Sequence, residues 1–477
     1  MGEPQTVAWS HGGCKLCDAP KTAPVRSVAR TWMRTVSLAL AGVKHKSKPA
    51  ALAGGEFDHP KELHKLNQSV IATNKLLSES PLALKEAALR RTARHAASAG
   101  GLTVVSFCDG KGSLLGFLLR AGIRIRRYLS VEHDENCNRV CRTLYGAAWE
   151  KMEPSALRFF HDARELTIEK LRAVDCWPVH LLAGATPCQD LSACNVSGQG
   201  LAGPQSRLFI DFCDFCANLQ KDNDGVALAI FAENVIPANK ADEVEMTRRL
   251  GFPALHSEAA VFEAARRPRL LFSNVPFASV PSDTPNVLLQ SCLNPGAVAL
   301  APKAGCIITG SISGKCDSLA TAKQHSHRNR GRALVLCASH STDVRGLVIP
   351  EICRALGQPH YEVDSSSGSE SDKAALLGRS LAAGQVLHAL RTFIDAVLRA
   401  QREAEERQEG EGEESCLTVT QSPLKAQWAQ CDSCSKWRRL PAGESVPAGR
   451  WTCRESMAGM CEAAEEQVLS EAEDDWQ

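Results

Sequence analysis

One thiol, one carboxyl and two guanidinium groups stand where three apolar runs begin or end. Cys188 lies in Gly184-Ala185-Thr186-Pro187-Cys188-Gln189-Asp190-Leu191-Ser192, just past the apolar residues 179–183. A thiolate is a strong nucleophile, more so when its pKa is lowered. Pro187 stiffens the loop and fixes the angle of approach. Glu233, in Ala232-Glu233-Asn234-Val235, follows a second apolar run at 226–231. Arg266-Arg267-Pro268-Arg269 leads into a third at 270–272. Alternate strand residues share a face, so Arg267 and Arg269 are expected to point together. These groups suit nucleophilic addition to an electron-poor ring. Each has an ordinary reading alone: a packing cysteine, a salt-bridged glutamate, a solvated arginine face. Their order and strand spacing together are far more specific.

A second chemistry belongs to residues 102–114. The β-type run Leu102-Thr103-Val104-Val105-Ser106-Phe107 ends in Asp109-Gly110-Lys111-Gly112, and an apolar helical segment follows at 114–119. A strand, a glycine turn and a helix let the backbone approach a nucleotide-like cofactor closely. Glu132, at the end of the next strand, is placed for ribose hydroxyls.

The third is metal chemistry. Trp428-Ala429-Gln430-Cys431-Asp432-Ser433-Cys434-Ser435-Lys436-Trp437 is followed by Trp451-Thr452-Cys453 and by Cys461. Cys431, Cys434, Cys453 and Cys461 make a four-thiolate set suited to tetrahedral structural zinc. A module of some forty residues needs such a staple, because its own core is small.

The elements that must hold these groups form an alternating series. Apolar runs at 102–107, 128–131, 179–183, 226–231 and 270–272 alternate with helical stretches at 136–144 and 207–219. This predicts an α/β fold, a parallel sheet covered on both faces, with ligands outside the carboxyl ends of its strands. The chain has 477 residues, 44% of them apolar, enough for two or three domains. Its formal charge is only +1. Residues 1–100 carry fifteen Lys/Arg against seven Asp/Glu and read as a basic, weakly ordered leader, with a helix at 82–97. Residues 401–415 hold seven Glu and mark an acidic linker, set at 396–424; 425–467 is the zinc module and 468–477 an acidic tail. No run of 18 apolar residues occurs, so no membrane span is expected. The start lacks a signal-peptide core, so the twenty cysteines are expected to be reduced thiols.

The three catalytic segments resemble the DNA cytosine-5 methyltransferases, and most closely their eukaryotic de novo subfamily. The family's Pro-Cys, Glu-Asn-Val and Arg-x-Arg motifs match Pro187-Cys188, Glu233-Asn234-Val235 and Arg267-Pro268-Arg269. The likeness continues through Gly200-Leu201, Arg207-Leu208-Phe209, Leu289-Gln290-Ser291-Cys292-Leu293, Ile307-Ile308-Thr309 and Leu376-Leu377-Gly378-Arg379-Ser380. It covers roughly 101–395. The resemblance implies a Rossmann-like S-adenosylmethionine-dependent fold with a target-recognition region at about 290–372. It implies that Cys188 adds to carbon 6 of a flipped cytosine while Glu233 holds ring nitrogen 3. Arg267 and Arg269 would steady the base oxygen or the nearby carboxylate. Carbon 5 then takes the methyl group. It also implies donor contacts from Asp109, Gly110, Gly112, Glu132, Asp162, Arg379 and Ser380, Asp162 at the adenine. Basic residues of the recognition region (Lys315, Lys323, His325, His327, Arg328, Arg330 and Arg332) would meet phosphates. Three departures surround the donor site. Cys108 replaces a phenylalanine, Leu114 a glycine, and the proline of the last motif is replaced near Gly384.

The C-terminal module resembles the CW zinc finger. In that family a tryptophan cage, here matched by Trp428 and Trp437, reads a methylated lysine, typically lysine 4 of the histone H3 tail. Cation–π attraction would hold the quaternary ammonium. The expected partners are therefore DNA and methylated histone H3, with assembly through the catalytic domain into homo- or hetero-oligomers. The expected location is the nucleus. The competing expectations are a catalytically weak regulator or recruiter on chromatin and an RNA methyltransferase. The latter branch carries a Cys-Phe-Thr tripeptide that this sequence lacks.

Overall fold

The structure is a computed structural model. It describes residues 57–146, 156–193, 195–307, 317–318, 334–336, 343–359, 368–415, 428–430 and 437–439. Contacts divide the chain into Met1–Glu405 and Glu406–Gln477.

The first unit is built on a seven-stranded sheet. Its strands are β1 (Leu102–Phe107), β2 (Ile125–Val131), β3 (Leu157–Phe160), β4 (Leu181–Gly184), β5 (Ala229–Val235), β6 (Ala254–Glu258) and β7 (Pro268–Ser273). Their order is β3-β2-β1-β4-β5-β7-β6. β1 to β5 pair in parallel, whereas β7 runs antiparallel to both β5 and β6. The expected sheet was all parallel; β7 departs because it follows β6 as a hairpin partner.

Alternation explains the near-continuous apolar runs. Val104, Tyr128, Leu181, Ala183, Phe231 and Leu271 face one apolar cluster, while Val105, Phe107, Leu129, Leu182, Ile230 and Phe272 face another. A strand buried on both faces reads as a near-continuous apolar run, here broken by the buried Thr103, Ser106 and Ser130. On the second face Phe107 meets Phe212 edge-on at 5.5 Å and Phe215 at 5.1 Å.

The expected weakly ordered leader is corrected over its last part. His59–Glu79 and Glu86–Ser98 are α-helices. Leu63, Leu66, Val70, Leu89, Ala93 and Ala96 enter the core of the first face. Asn67 exchanges two hydrogen bonds with Val280 and Asn74 two with Phe277, each 2.8–3.0 Å. The helix expected at 82–97 overlaps Glu86–Ser98, whereas the basic outer face of His59–Glu79 made that helix look like part of a solvated arm. The linker boundary also shifts. The helix Arg391–Ser415 buries Phe393, Ile394, Val397, Leu398 and Ala400 in the same core. Residue 396 therefore lies inside the folded unit.

Between residues 290 and 372, where a recognition region was expected, a small antiparallel sheet runs Val298–Ala299, Leu334–Leu336, Asp343–Gly346 and Asp317–Ser318 in that spatial order. The helix Ile349–Ala355 follows, its Glu351 fully buried and paired with Arg345 at 2.6 Å. The seven expected phosphate-binding residues lie outside the described residues. Among the described residues, no single helix is long and apolar enough to cross a membrane.

In the second unit, Trp428–Gln430 pairs antiparallel with Trp437–Arg439, with Gln430 opposite Trp437 and Trp428 opposite Arg439. Cys431, Cys434, Cys453 and Cys461 lie outside the described residues.

Candidate active site

The carboxyl edge of β4 and β5 brings Cys188 and Glu233 together. Gly184, which ends β4, could carry no side chain, because a Cβ there would sit 2.7 Å from the Phe212 ring. The chain then turns, with Leu191 and Ser192 donating backbone hydrogen bonds to the Cys188 carbonyl at 3.1 and 2.9 Å. Asn234 pins this loop by donating to the Thr186 hydroxyl at 3.1 Å. The sequence motif contains Asn234, but sequence reasoning gave it no separate role.

Glu233 is 9% exposed and accepts a hydrogen bond from Arg269 Nε at 2.5 Å. Arg269 is itself buried, and the Glu233 carboxylate raises its pKa against the opposing pull of burial. Cys188 is half-buried. Burial pushes its thiol up, Glu233 adds to that, and Arg269 and Arg267 oppose both. The guanidinium groups are thus the local source of thiolate stabilisation.

The two arginines do not act as a matched pair. Arg269 faces Glu233, whereas Arg267 Nη1 reaches the carbonyls of Gly378 at 3.3 Å and Ile307 at 3.5 Å. Burial and the neighbouring Arg269 bring Arg267 down to about 10. Pro268 opens the strand, so Arg267 sits in the preceding connection rather than in β7.

The glycine turn expected to receive a donor lies at the carboxyl edge of β1 to β3. Gly110 and Gly112 adopt φ of +62° and +78°, a region that favours glycine. A Cβ on Gly112 would also meet the Cys141 sulfur at 2.7 Å. Glu132 is buried and accepts backbone hydrogen bonds from Gly110 and Asp134, both at 2.9 Å. Asp109 accepts from Tyr128 at 2.6 Å and Ser106 at 2.7 Å, yet its Oδ2 has no partner among the described residues. Burial raises its carboxyl to about 6. Burial, then Glu132 and Asp109, push the Cys108 thiol to about 12, so it is no reactive thiolate. Leu114 is buried in the core, which accounts for an apolar side chain in place of glycine.

Asp162 caps the turn after β3 and pairs with Arg164 at 2.6 Å; that hydrogen-bonded pairing holds its carboxyl at about 2. Arg379 reaches Asp134 at 2.8 Å, which ties the helix Glu370–Arg379 to the donor edge. The Ser380 hydroxyl donates to Leu377 O and accepts from Gln358, both at 2.8 Å. The seven expected donor-site residues therefore split. Asp109, Gly110, Gly112, Glu132 and Asp162 lie at the ends of adjacent strands, Arg379 joins them through Asp134, and Ser380 is committed to the protein interior. A methyl donor of the nucleoside kind fits this edge. Open space lies beside Gly110, and two carboxylates face the ends of β2 and β3.

The sheet order and its parallel strands β1 to β5 give the first unit a Rossmann-like α/β fold. Residues 427–467 match the CW-type zinc finger family, so the chain ends in a zinc-binding module of that type. The chain is 38% identical over 64 residues to a B3 domain-containing protein of Oryza sativa subsp. japonica. It is 36% identical over 61 residues to the B3 domain-containing transcription repressor VAL1 of Arabidopsis thaliana. These matches take in 13% and 12% of this chain but only 7% and 8% of those proteins. Similar solved structures include the Dnmt2 methyltransferase of S. pombe, with TM-score 0.43 and 16% identity over 62% of this chain and 98% of that one. The methyltransferase EhMeth of Entamoeba histolytica has TM-score 0.44 and 14% identity over 62% and 98%. A DNMT2 mutant of Spodoptera frugiperda has 0.41 and 12% over 61% and 99%.

Proposed function

We propose that the chain methylates carbon 5 of cytosine in DNA from S-adenosylmethionine, and that its zinc finger directs it to chromatin in the nucleus. The observation that carries the reading is the buried Arg269–Glu233 pair beside Cys188. A carboxyl held in a dry site by one guanidinium can grip an amidine-like ring edge and pass it a proton. The Cys188 sulfur forms a bond to ring carbon 6 as Glu233 protonates nitrogen 3, which makes carbon 5 nucleophilic. Solvent then takes the carbon 5 proton, the electron pair re-forms the ring double bond and expels the Cys188 thiolate, and nitrogen 3 returns its proton to Glu233. The cytosine must first leave the duplex stack. When bound, S-adenosylmethionine supplies an electrophilic methyl group. Glu132 and Asp162 would hold its ribose and adenine, and the Gly110–Gly112 turn would admit its backbone-facing side.

Cys431, Cys434, Cys453 and Cys461 would hold zinc, and Trp428 and Trp437 would face a methylated lysine of the histone H3 tail. Assembly through the first unit, with a like or unlike partner, belongs to the same reading. A second reading, a regulator with weak activity, is favoured by the Glu132 carboxylate, both of whose oxygens already accept backbone hydrogen bonds.

Transfer of labelled methyl groups to duplex DNA and to tRNA, with wild type beside Cys188→Ala, separates these. Transfer to DNA that depends on Cys188 supports the enzyme. Transfer to tRNA alone overturns the DNA assignment. Absence of both transfer and donor binding leaves the regulator.

A further inference from the structure

A buried acid outside both candidate sites sits where they are joined. Glu263 lies in the connection from β6 to β7 and is 4% exposed. One carboxyl oxygen accepts the backbone N–H of Gly384, and the other has no hydrogen-bond partner among the described residues. The carboxyl also fills the space at Gly357, where a Cβ would stand 2.9 Å from Oε1. Gly384 is equally constrained, since its Cβ would meet that of Phe262 at 2.6 Å.

Four chain segments meet at this point. Residues 264–266 run beside Ala304, with backbone hydrogen bonds of 2.7 and 2.9 Å. Ala383 N–H donates to Leu356 at 3.2 Å, and Gln358 donates to Ser380 Oγ at 2.8 Å. Gln385 donates to the Arg267 carbonyl at 3.3 Å, and Arg267 returns a bond to Gly378. The seam therefore links Arg267, on the base side, to Arg379 and Ser380, on the donor side. Arg267 Nε and Gln358 Oε1 are buried in it without partners among the described residues. Buried polar atoms left unsatisfied call for an explanation of this kind.

We infer that Glu263 is a positioning residue, whose carboxyl fastens the N-terminus of the helix Ala383–Ala389 to the strand connection bearing Arg267, so that base site and donor site share one joint. The replacement of the family's proline near Gly384 then has a cause, because proline has no N–H to give Glu263. Few charges oppose or balance this acid. Arg267 and Lys303 favour its ionised form. The Lys303 ammonium itself is spent on the carbonyls of Glu263 and Val287, at 2.8 and 2.7 Å. Burial pushes the nearby Cys292 thiol up, and Glu263 adds a smaller push in the same direction. On the helix Ala383–Ala389, His388 stacks on Phe262 and bonds to Ala278 O. Burial dominates and holds the Glu263 carboxyl protonated up to about 8. The sign follows. Between its ordinary range and about 8 the seam keeps a proton that the unfolded chain has lost, so this group's contribution to stability falls as pH rises. Above about 8 a charge appears inside the joint and loosens it.

The effect on the donor site rests on the methyltransferase reading, whereas the effect on the seam does not. The test is amide hydrogen exchange of the full chain, corrected for intrinsic pH dependence, together with S-adenosylmethionine binding. Glu263→Ala should speed exchange over residues 378–386 about tenfold, a local loss of roughly 1.4 kcal/mol. It should raise the donor KM with kcat little changed. Glu263→Gln, which keeps an uncharged acceptor, should restore protection at pH 7 and abolish the loosening seen in wild type above pH 8. Equal exchange in Glu263→Ala and wild type overturns the proposal, as does a Glu263→Gln variant that behaves like Glu263→Ala. A seam that responds as expected in a chain that binds no donor supports the joint and refutes the donor reading alone.

Discussion

The proposed base pocket and the proposed donor turn sit on the same sheet edge and are built in opposite ways. Around Cys188, charged side chains are paired across strands, with Arg269 of β7 against Glu233 of β5. Around Gly110, carboxyl groups are turned onto the protein itself, with Glu132 on two backbone N–H groups and Asp109 on the hydroxyls of Tyr128 and Ser106. The first arrangement presents charge to a ligand, and the second spends it on shaping a turn. The difference teaches where each site is vulnerable. The pocket fails when a charge loses its partner, whereas the turn fails when its loop geometry relaxes.

The largest effect should come from the nucleophile. Cys188→Ala should lower methyl transfer on the order of 10⁴-fold or more, while donor binding measured by calorimetry stays intact. A fall in donor binding as well would mean that pocket and turn are not separable. Next, Arg269→Ala should cost about 3–5 kcal/mol in denaturant unfolding, because it strands a buried carboxylate. The double variant with Glu233→Gln should recover part of that loss; no recovery would break the picture of a charge-paired pocket. At the turn, Glu132→Gln should weaken donor binding by about 1–2 kcal/mol, roughly tenfold, with Cys188 reactivity toward a small alkylating agent unchanged. The smallest effect concerns Asp109. Its folded pKa is raised to about 6, so its contribution to stability is greatest below pH 4 and declines as pH rises to 6. Replacing it with asparagine should flatten that part of a melting-temperature profile, and an unchanged profile would place Asp109 outside the buried turn.

The sheet was largely readable because its central strands are buried on both faces and carry few polar positions, such as Thr103 and Ser106 in β1, to interrupt the pattern. Cys188 and Glu233 could be placed for the same reason, each falling where an apolar run stops. Arg267 was misjudged because strand alternation was extended one residue past Pro268, into a connection where contacts with Gly378 and Ile307 decide its direction. The helix expected at 82–97 overlaps Glu86–Ser98, whereas His59–Glu79 was missed because its apolar positions are diluted by a polar and basic outer face. Glu263 gave only a faint signal, a single acid in Val-Phe-Glu-Ala-Ala three residues before Arg266. Its role depends on glycines about a hundred residues later in the chain, which no local pattern encodes.

The antiparallel seventh strand has a consequence for how the protein is made. β7 occupies an interior position between β5 and β6, yet it is the last of the seven strands to be synthesised. A nascent chain that has not reached Arg267 carries Cys188 and Glu233 with neither guanidinium, and the rim of β5 is open to pairing with any other chain. Emergence of the β6–β7 hairpin closes that rim and delivers Arg269 to Glu233 in one event. Assembly order thus makes completion of the sheet and neutralisation of its buried acid the same step. Ribosome-stalled fragments ending just before and just after residue 273 are where a chaperone would find its last and its first unwelcoming surface.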